Sequence, residues 1–224
     1  MHELLPSLLL SLQIALIATA ITAMLAVPLA FLLARHRFRG KSLVEALLTL
    51  PLVLPPTVVG YFLVVLLGVN GWIGRWLDRW FEFRLVFDWR GAVIAAVVVS
   101  FPLLFLPAKA AFASIERELE DIATLMGANR FQIFLHVSLP LARRGIVSGL
   151  LLAFARSLGE FGATVMIFGD IEGHKTLPIA IYSDYTSGRS LESTSPTWLA
   201  IVALSGISLL VILLYNRSQA LSAE

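Results

Sequence analysis

Three stretches of this sequence run for two dozen residues or more without one charge: residues 4–34, 46–74 and 193–216. About 18 consecutive apolar residues already cross the roughly 30 Å hydrocarbon layer of a bilayer. No water is available there, so a spanning backbone must satisfy its own N–H and C=O groups, and an α-helix does that within one segment. The expected fold is therefore all-α and polytopic. Composition agrees: 58% of the 224 residues are hydrophobic and 14% are charged, where soluble domains carry about 25% charged residues. A soluble globular enzyme is excluded. A net charge of +2 gives no basic field for nucleic acid. With no cysteine, disulfides, thiolate metal sites and Cys nucleophiles are excluded as well.

The chain is expected to form a single transmembrane domain over 1–224, with spans at about 8–34, 46–68, 91–113, 141–168 and 198–215. The first run follows His2 and Glu3 with no Lys or Arg before it, and it is too long for a signal-peptide core, so it reads as a retained span. Span two contains Pro51, Pro55 and Pro56, and span three contains Pro102 and Pro107. Proline is tolerated in a membrane helix where neighbours or water satisfy the freed carbonyl. Such breaks fit either a cavity-lining backbone or kinks that help packing.

Basic residues set the orientation. With the N-terminus outside and the C-terminus inside, ten Lys and Arg fall on the cytoplasmic side, six outside and one, Arg156, within a span. That follows the positive-inside bias. The outer 69–90 stretch carries Trp72, Trp76, Trp80 and Trp89, a residue type that favours the headgroup interface. It is expected to be a short helix on the outer face.

Residues 114–140 form the cytoplasmic exception. Ile115, Leu119, Ile122 and Met126 recur at helical spacing, with Glu116, Glu118 and Glu120 turned elsewhere. Gly127 suits the position just past a helix end, where positive φ costs glycine nothing. Asn129 then caps a second helix, paired with Gln132 three residues on. Phe131, Phe134 and Leu135 give that helix an apolar face, and Pro140 is expected to close it and to open the fourth span. A helix-Gly-helix elbow with an apolar face needs cover, from its own bundle, from lipid or from a soluble partner.

The run Asp121-Ile122-Ala123-x-x-x-Gly127-Ala128, with Leu139-Pro140 twelve residues after the glycine, resembles the EAA loop of bacterial ABC-importer permeases. Asp121 and Ile122 stand where that motif has Glu and Ala, and Arg144 stands where many members have a Pro before Gly145. Arg37-Phe38-x-Gly40-Lys41, Leu50-Pro-Leu-Val-Leu-Pro-Pro-Thr-Val-Val-Gly-Tyr61, Phe154-Ala-Arg-Ser-Leu-Gly-Glu-Phe-Gly-Ala-Thr164 and Gly173-His-Lys-Thr-Leu-Pro-Ile-Ala-Ile-Tyr182 are similar to the molybdate branch of that family. The resemblance implies a cytoplasmic-membrane permease, multi-pass, working as a homodimer among membrane lipid. Two cytoplasmic ABC ATPase subunits would dock on Asp121, Ile122, Ala123, Gly127, Ala128, Leu139 and Pro140. A periplasmic or extracellular binding protein would deliver the oxyanion, molybdate or tungstate. The permease itself would be no enzyme and would hold no cofactor. Consistently, the sequence has no Gly-x-x-x-x-Gly-Lys-Ser/Thr phosphate loop. Two other readings stand beside it: the same machine with sulfate as cargo, and a membrane anchor or channel with no ATPase.

Candidate pathway residues are Pro55, Pro56, Thr57, Arg156, Ser157 and Glu160. Arg156 and Glu160 are four apart on one helical face, within reach of each other. Charges inside a span are costly and face a bundle interior, so they are either a structural pair or a feature of the anion's path. Gly145 with Gly149, and Ala155, Gly159 and Ala163, form small-residue stripes that allow close helix approach, within the chain or between two copies. His136 and His174 fall in no ligand spacing and read as surface residues.

Overall fold

The computed structural model describes residues 4–81, 84–169, 175–188 and 197–220. Glu82, Gly173, His174 and Arg189 lie outside them. The described residues are helical apart from short connections, and five helical stretches are long and apolar enough to cross a membrane: Leu5–Arg35, Pro56–Trp76, Trp89–Ala113, Arg130–Leu158 and Thr197–Arg217.

Helix α1 covers Leu4–Arg35 and α5 covers Trp89–Ala113. At 1.5 Å per residue both exceed the roughly 30 Å that a span needs. They pack along each other, and α8, Leu139–Leu158, packs on both. The tight fit comes from small residues. A Cβ added to Gly145 would lie 2.5 Å from Ala111 Cβ, and one on Gly149 would lie 2.8 Å from Leu104 Cδ1. This glycine pair therefore serves contact within the chain, against α5. In lipid, where burial of apolar surface gives no net drive, such close packing is what holds helices together.

α5 is the most buried span, and it runs unbroken through Pro102 and Pro107. Span two behaves differently. It is two helices, α2 at Lys41–Val53 and α3 at Pro56–Leu67. Pro51 sits inside α2, while the paired Pro55 and Pro56 make the break. Each proline pushes its predecessor out of the helical region, so Leu54 (ψ 141°) and Pro55 (ψ 134°) are both extended. α3 is 12 residues long, about 18 Å. α2 buries none of its residues; Glu45 ties it to α5 by an ion pair to Lys109 at 2.7 Å.

Past a turn at residues 68–71 lies α4, Trp72–Phe81, with Trp72, Trp76 and Trp80 exposed along one side. The fourth hydropathic run also divides, into α8 and α9, Gly162–Phe168, with residues 159–161 between them. α10 is Leu177–Thr186 and α11 is Thr197–Ala220. The elbow supplies α6, Arg117–Leu125, and α7, Arg130–Ile133.

Candidate coupling elbow and translocation site

The elbow is built by local backbone chemistry. α6 ends in a Schellman motif: Ala128 N–H donates to Ala123 O at 3.0 Å and Gly127 N–H to Thr124 O at 2.9 Å. Gly127 holds φ at 89°. Asn129 Oδ1 accepts from Gln132 N–H at 2.9 Å, and Gln132 Oε1 accepts from Asn129 N–H at 2.8 Å, a complete capping box. Ala123, Gly127 and Ala128 of the EAA-like run thus have structural work in the turn itself.

Pro140 does not end the second helix. α7 passes through a π turn, Phe134–Ser138, straight into α8. Proline lacks an N–H and its ring presses on the carbonyl four residues back, here that of His136. A π turn widens the helix at that point, and Leu139 N–H bonds to Phe134 O instead.

The apolar residues of the elbow divide between two faces. Ile115 and Phe134 pack onto the bundle, and the Phe134 ring lies 5.0 Å from Phe31 and 6.2 Å from Phe112. Ile122, Leu125, Met126 and Phe131 remain exposed, Leu125 at 88%, and Asp121 is exposed beside them. Phe131 and Leu135 therefore do not share the packed face of Phe134. α6 has no buried residue.

Glu120 is the residue that sequence reasoning passed over. Its Oε1 accepts from Arg35 Nε at 2.9 Å and from Ser138 Oγ at 2.7 Å, and Arg35 also donates to Ile115 O at 3.1 Å. The end of α1, the elbow and the π turn meet at this one carboxylate.

The second locus lies at the two helix breaks, which the fold brings together. A Cβ on Gly162 would lie 2.9 Å from Pro56 Cβ and 3.2 Å from Thr57 N, and one on Gly60 would lie 2.8 Å from Ala163 Cα. α3 and α9 are therefore parallel half-helices with their N-termini level. Glu160, 3% exposed, joins the two halves of the fourth run. Its Oε1 accepts from Ala163 N–H at 2.7 Å, capping the first turn of α9, and its Oε2 pairs with Arg156. A carboxylate is favoured there by the exposed amides of a helix start. Arg156 is on the last turn of α8 and keeps partial exposure; Ser157 Oγ is buried with no hydrogen-bond partner among the described residues. Pro55 and Thr57 are exposed at the start of α3. The fold thus joins Pro56 and Thr57 to the Glu160–Gly162 break across a hundred residues of sequence. Of the second small-residue stripe, Ala163 is buried against Gly60 while Gly159 is exposed.

A family described as "binding-protein-dependent transport system inner membrane component" matches residues 26–221. The chain belongs to this family. The permease is 42% identical over 203 residues to the "Molybdenum transport system permease protein ModB" of Haemophilus influenzae, covering 90% of this chain and 89% of that relative. It is 39% identical over 211 residues to the "Putative molybdenum transport system permease protein YvgM" of Bacillus subtilis, covering 94% and 91%. The "Sulfate transport system permease protein CysW" of Synechococcus elongatus is more distant, 33% identical over 213 residues and covering 91% and 73%. Among solved structures, the fold matches the MetNI methionine ABC transporter in inward-facing form, with a TM-score of 0.71 at 18% identity, covering 98% of this chain and 96% of that chain. It also matches a bacterial alginate ABC transporter in complex with an alginate-bound periplasmic protein, with a TM-score of 0.76 at 16% identity, covering 97% and 78%. The chain is thus an inner-membrane permease of the ABC type, with the all-α fold expected from its sequence.

Proposed function

We propose that this permease carries molybdate, with tungstate as the second oxyanion of its cargo class, as the membrane subunit of an ATP-driven importer. The observation that carries this reading is 42% identity spread over about nine-tenths of both chains with a molybdenum permease. In proteoliposomes with a cognate ATPase and oxyanion-binding protein, labelled molybdate should enter only while ATP is hydrolysed. Uptake of sulfate in place of molybdate would move the cargo to sulfate, and ATP-independent flux would make the protein a channel.

The working unit in this reading is a homodimer, with two ATPase subunits on the cytoplasmic side and a binding protein outside. The exposed Asp121, Ile122 and Leu125 of α6, with Met126 just past its end, are the surface offered to the ATPase. Engagement of the two ATPase subunits would move the docked elbows and change the side to which the pathway opens, a rigid-body switch. Arg156 stands by the pathway. Its positive charge favours a dianion, and Glu160 tempers that charge so that the cargo is released, as conduction requires.

A further inference from the structure

α6 is the part of the elbow that the proposed partner would move, yet it buries no residue of its own. Its covalent links are two short connections, residues 114–116 from α5 and 126–129 to α7. The second contains Gly127 at φ 89° with nothing within 4 Å of a Cβ placed there. The Schellman motif and the capping box fix the second link to α7, and the first link meets α1 where Arg35 donates to Ile115 O, but the connections give the side chains of α6 itself no hold on the end of that helix.

Glu120 closes that gap. Among the described residues it is the one side chain of α6 with a hydrogen bond or ion pair outside α6. Its Oε1 accepts from Arg35 Nε at 2.9 Å and from Ser138 Oγ at 2.7 Å, and Arg35 Nη2 lies 2.7 Å from it as an ion-pair contact. Arg35 closes the last turn of α1, and its side chain is 9% exposed; that of Glu120 is 17% exposed. Ser138 is fully buried and sits in the π turn that leads into α8. A shielded, charge-assisted contact of this kind is short and directional, and losing one partner leaves a mostly buried charge unpaired. It joins α6 to α1, and through the π turn to α8.

We propose that Glu120 is a positioning residue that relays motion: the Arg35–Glu120–Ser138 contact makes α6 move as one body with the end of α1 and the start of α8. This rests on the reading of the chain as an ATP-driven permease. It assigns to Glu120, rather than to the surface that meets the ATPase, the conversion of hydrolysis into transport. The exposed side of α6 then serves docking and the opposite side serves transmission.

The chain has no cysteine, which makes a clean test. The double variant Arg35→Cys, Glu120→Cys removes the contact, and a bifunctional thiol reagent spanning the two lost side chains replaces it. Linking is done on the permease before the ATPase is added. The quantity read is oxyanion imported per ATP hydrolysed in proteoliposomes with ATPase and binding protein, alongside co-purification of the ATPase. A purely structural contact would lower import and hydrolysis together and leave their ratio unchanged. The relay predicts that the unlinked variant retains its ATPase while the ratio falls on the order of tenfold, within the usual range of coupling between sites. Linking should restore the ratio. An unchanged ratio, a ratio that stays low after linking, or loss of the ATPase from the unlinked variant would each overturn the relay. Absence of ATP-driven import by the unsubstituted complex would instead refute the transport reading and show itself before any variant is made.

Discussion

Gly127 shows how much a single backbone angle can carry. At φ 89°, with open space around it, a side chain meets no neighbour, and the cost is conformational, about 1–2 kcal/mol. Gly127→Val should leave the permease inserted and lower transport by misdirecting α7 from α6; Gly127→Asn, which tolerates that region, should stay close to the parent. Equal import by the Val variant, with the complex intact, would remove the elbow from coupling. Arg156 invites a second comparison, because its partner Glu160 also caps α9. Gln at 160 can still accept from Ala163 N–H, so the double variant Arg156→Gln, Glu160→Gln keeps the cap. If Arg156 serves the path, Arg156→Gln and the double variant should both assemble and import slowly while ATPase activity persists. A structural pair would show the opposite pattern, the single change harming assembly and the double recovering transport. The residues read correctly from sequence, Gly127, Asn129 and Gln132, are those whose partners lie within a few positions. Glu120 was not legible in that way. Its partner Arg35 is 85 residues away, and only tertiary packing of α1 against the elbow brings them together.

At the scale of elements, identical residues gave opposite outcomes. Single prolines, Pro51 in α2 and Pro102 and Pro107 in α5, leave their helices continuous, whereas the adjacent Pro55 and Pro56 break their run because two in a row disfavour helical backbone at both Leu54 and Pro55. Hydropathy located all five apolar runs and the prolines marked the break in the second, but the break in the fourth, which no proline marks, was not legible, since periodicity is blind to a short link between two apolar helices. The half-helices depend on contact without side chains. A Cβ on Gly60 would come within 2.8 Å of Ala163 Cα and 2.9 Å of its carbonyl oxygen, and backbone cannot move aside. Gly60→Val should therefore lower thermal stability in detergent, by about 1–3 kcal/mol as for overpacked cores; a wild-type melting temperature would show that α3 and α9 separate easily. α4 presents Trp72, Trp76 and Trp80 on one side, and Gly74 presses against the carbonyls that end α3. This geometry holds the tryptophans at the end of a span, where indole rings favour the headgroup zone. In a variant whose only tryptophan is Trp72 or Trp80, lipids brominated near the headgroup should quench more strongly than lipids brominated at the chain ends. Quenching by neither would place α4 against protein.

For the whole molecule, the basic-residue bias and the five apolar runs predict an N-terminus outside and a C-terminus inside. A reporter active only in the cytoplasm should therefore work when fused after Arg217, and silence there would reverse the orientation. The continuous helix from Arg130 to Leu158 has a consequence for how such a molecule could act. It begins in the elbow and ends at Arg156 and the helix break, 29 residues in one rod, about 43 Å. A rod of that kind need not be pushed; it can be turned. With side chains reaching about 5 Å from the axis, a torque that rotates it by about 20° would sweep the Arg156 side chain through roughly 2 Å, enough to take a guanidinium into or out of hydrogen-bond range. Twist applied at Glu120 would enter the rod at the π turn, where Ser138 bonds that carboxylate and Phe134 packs against Phe31 and Phe112.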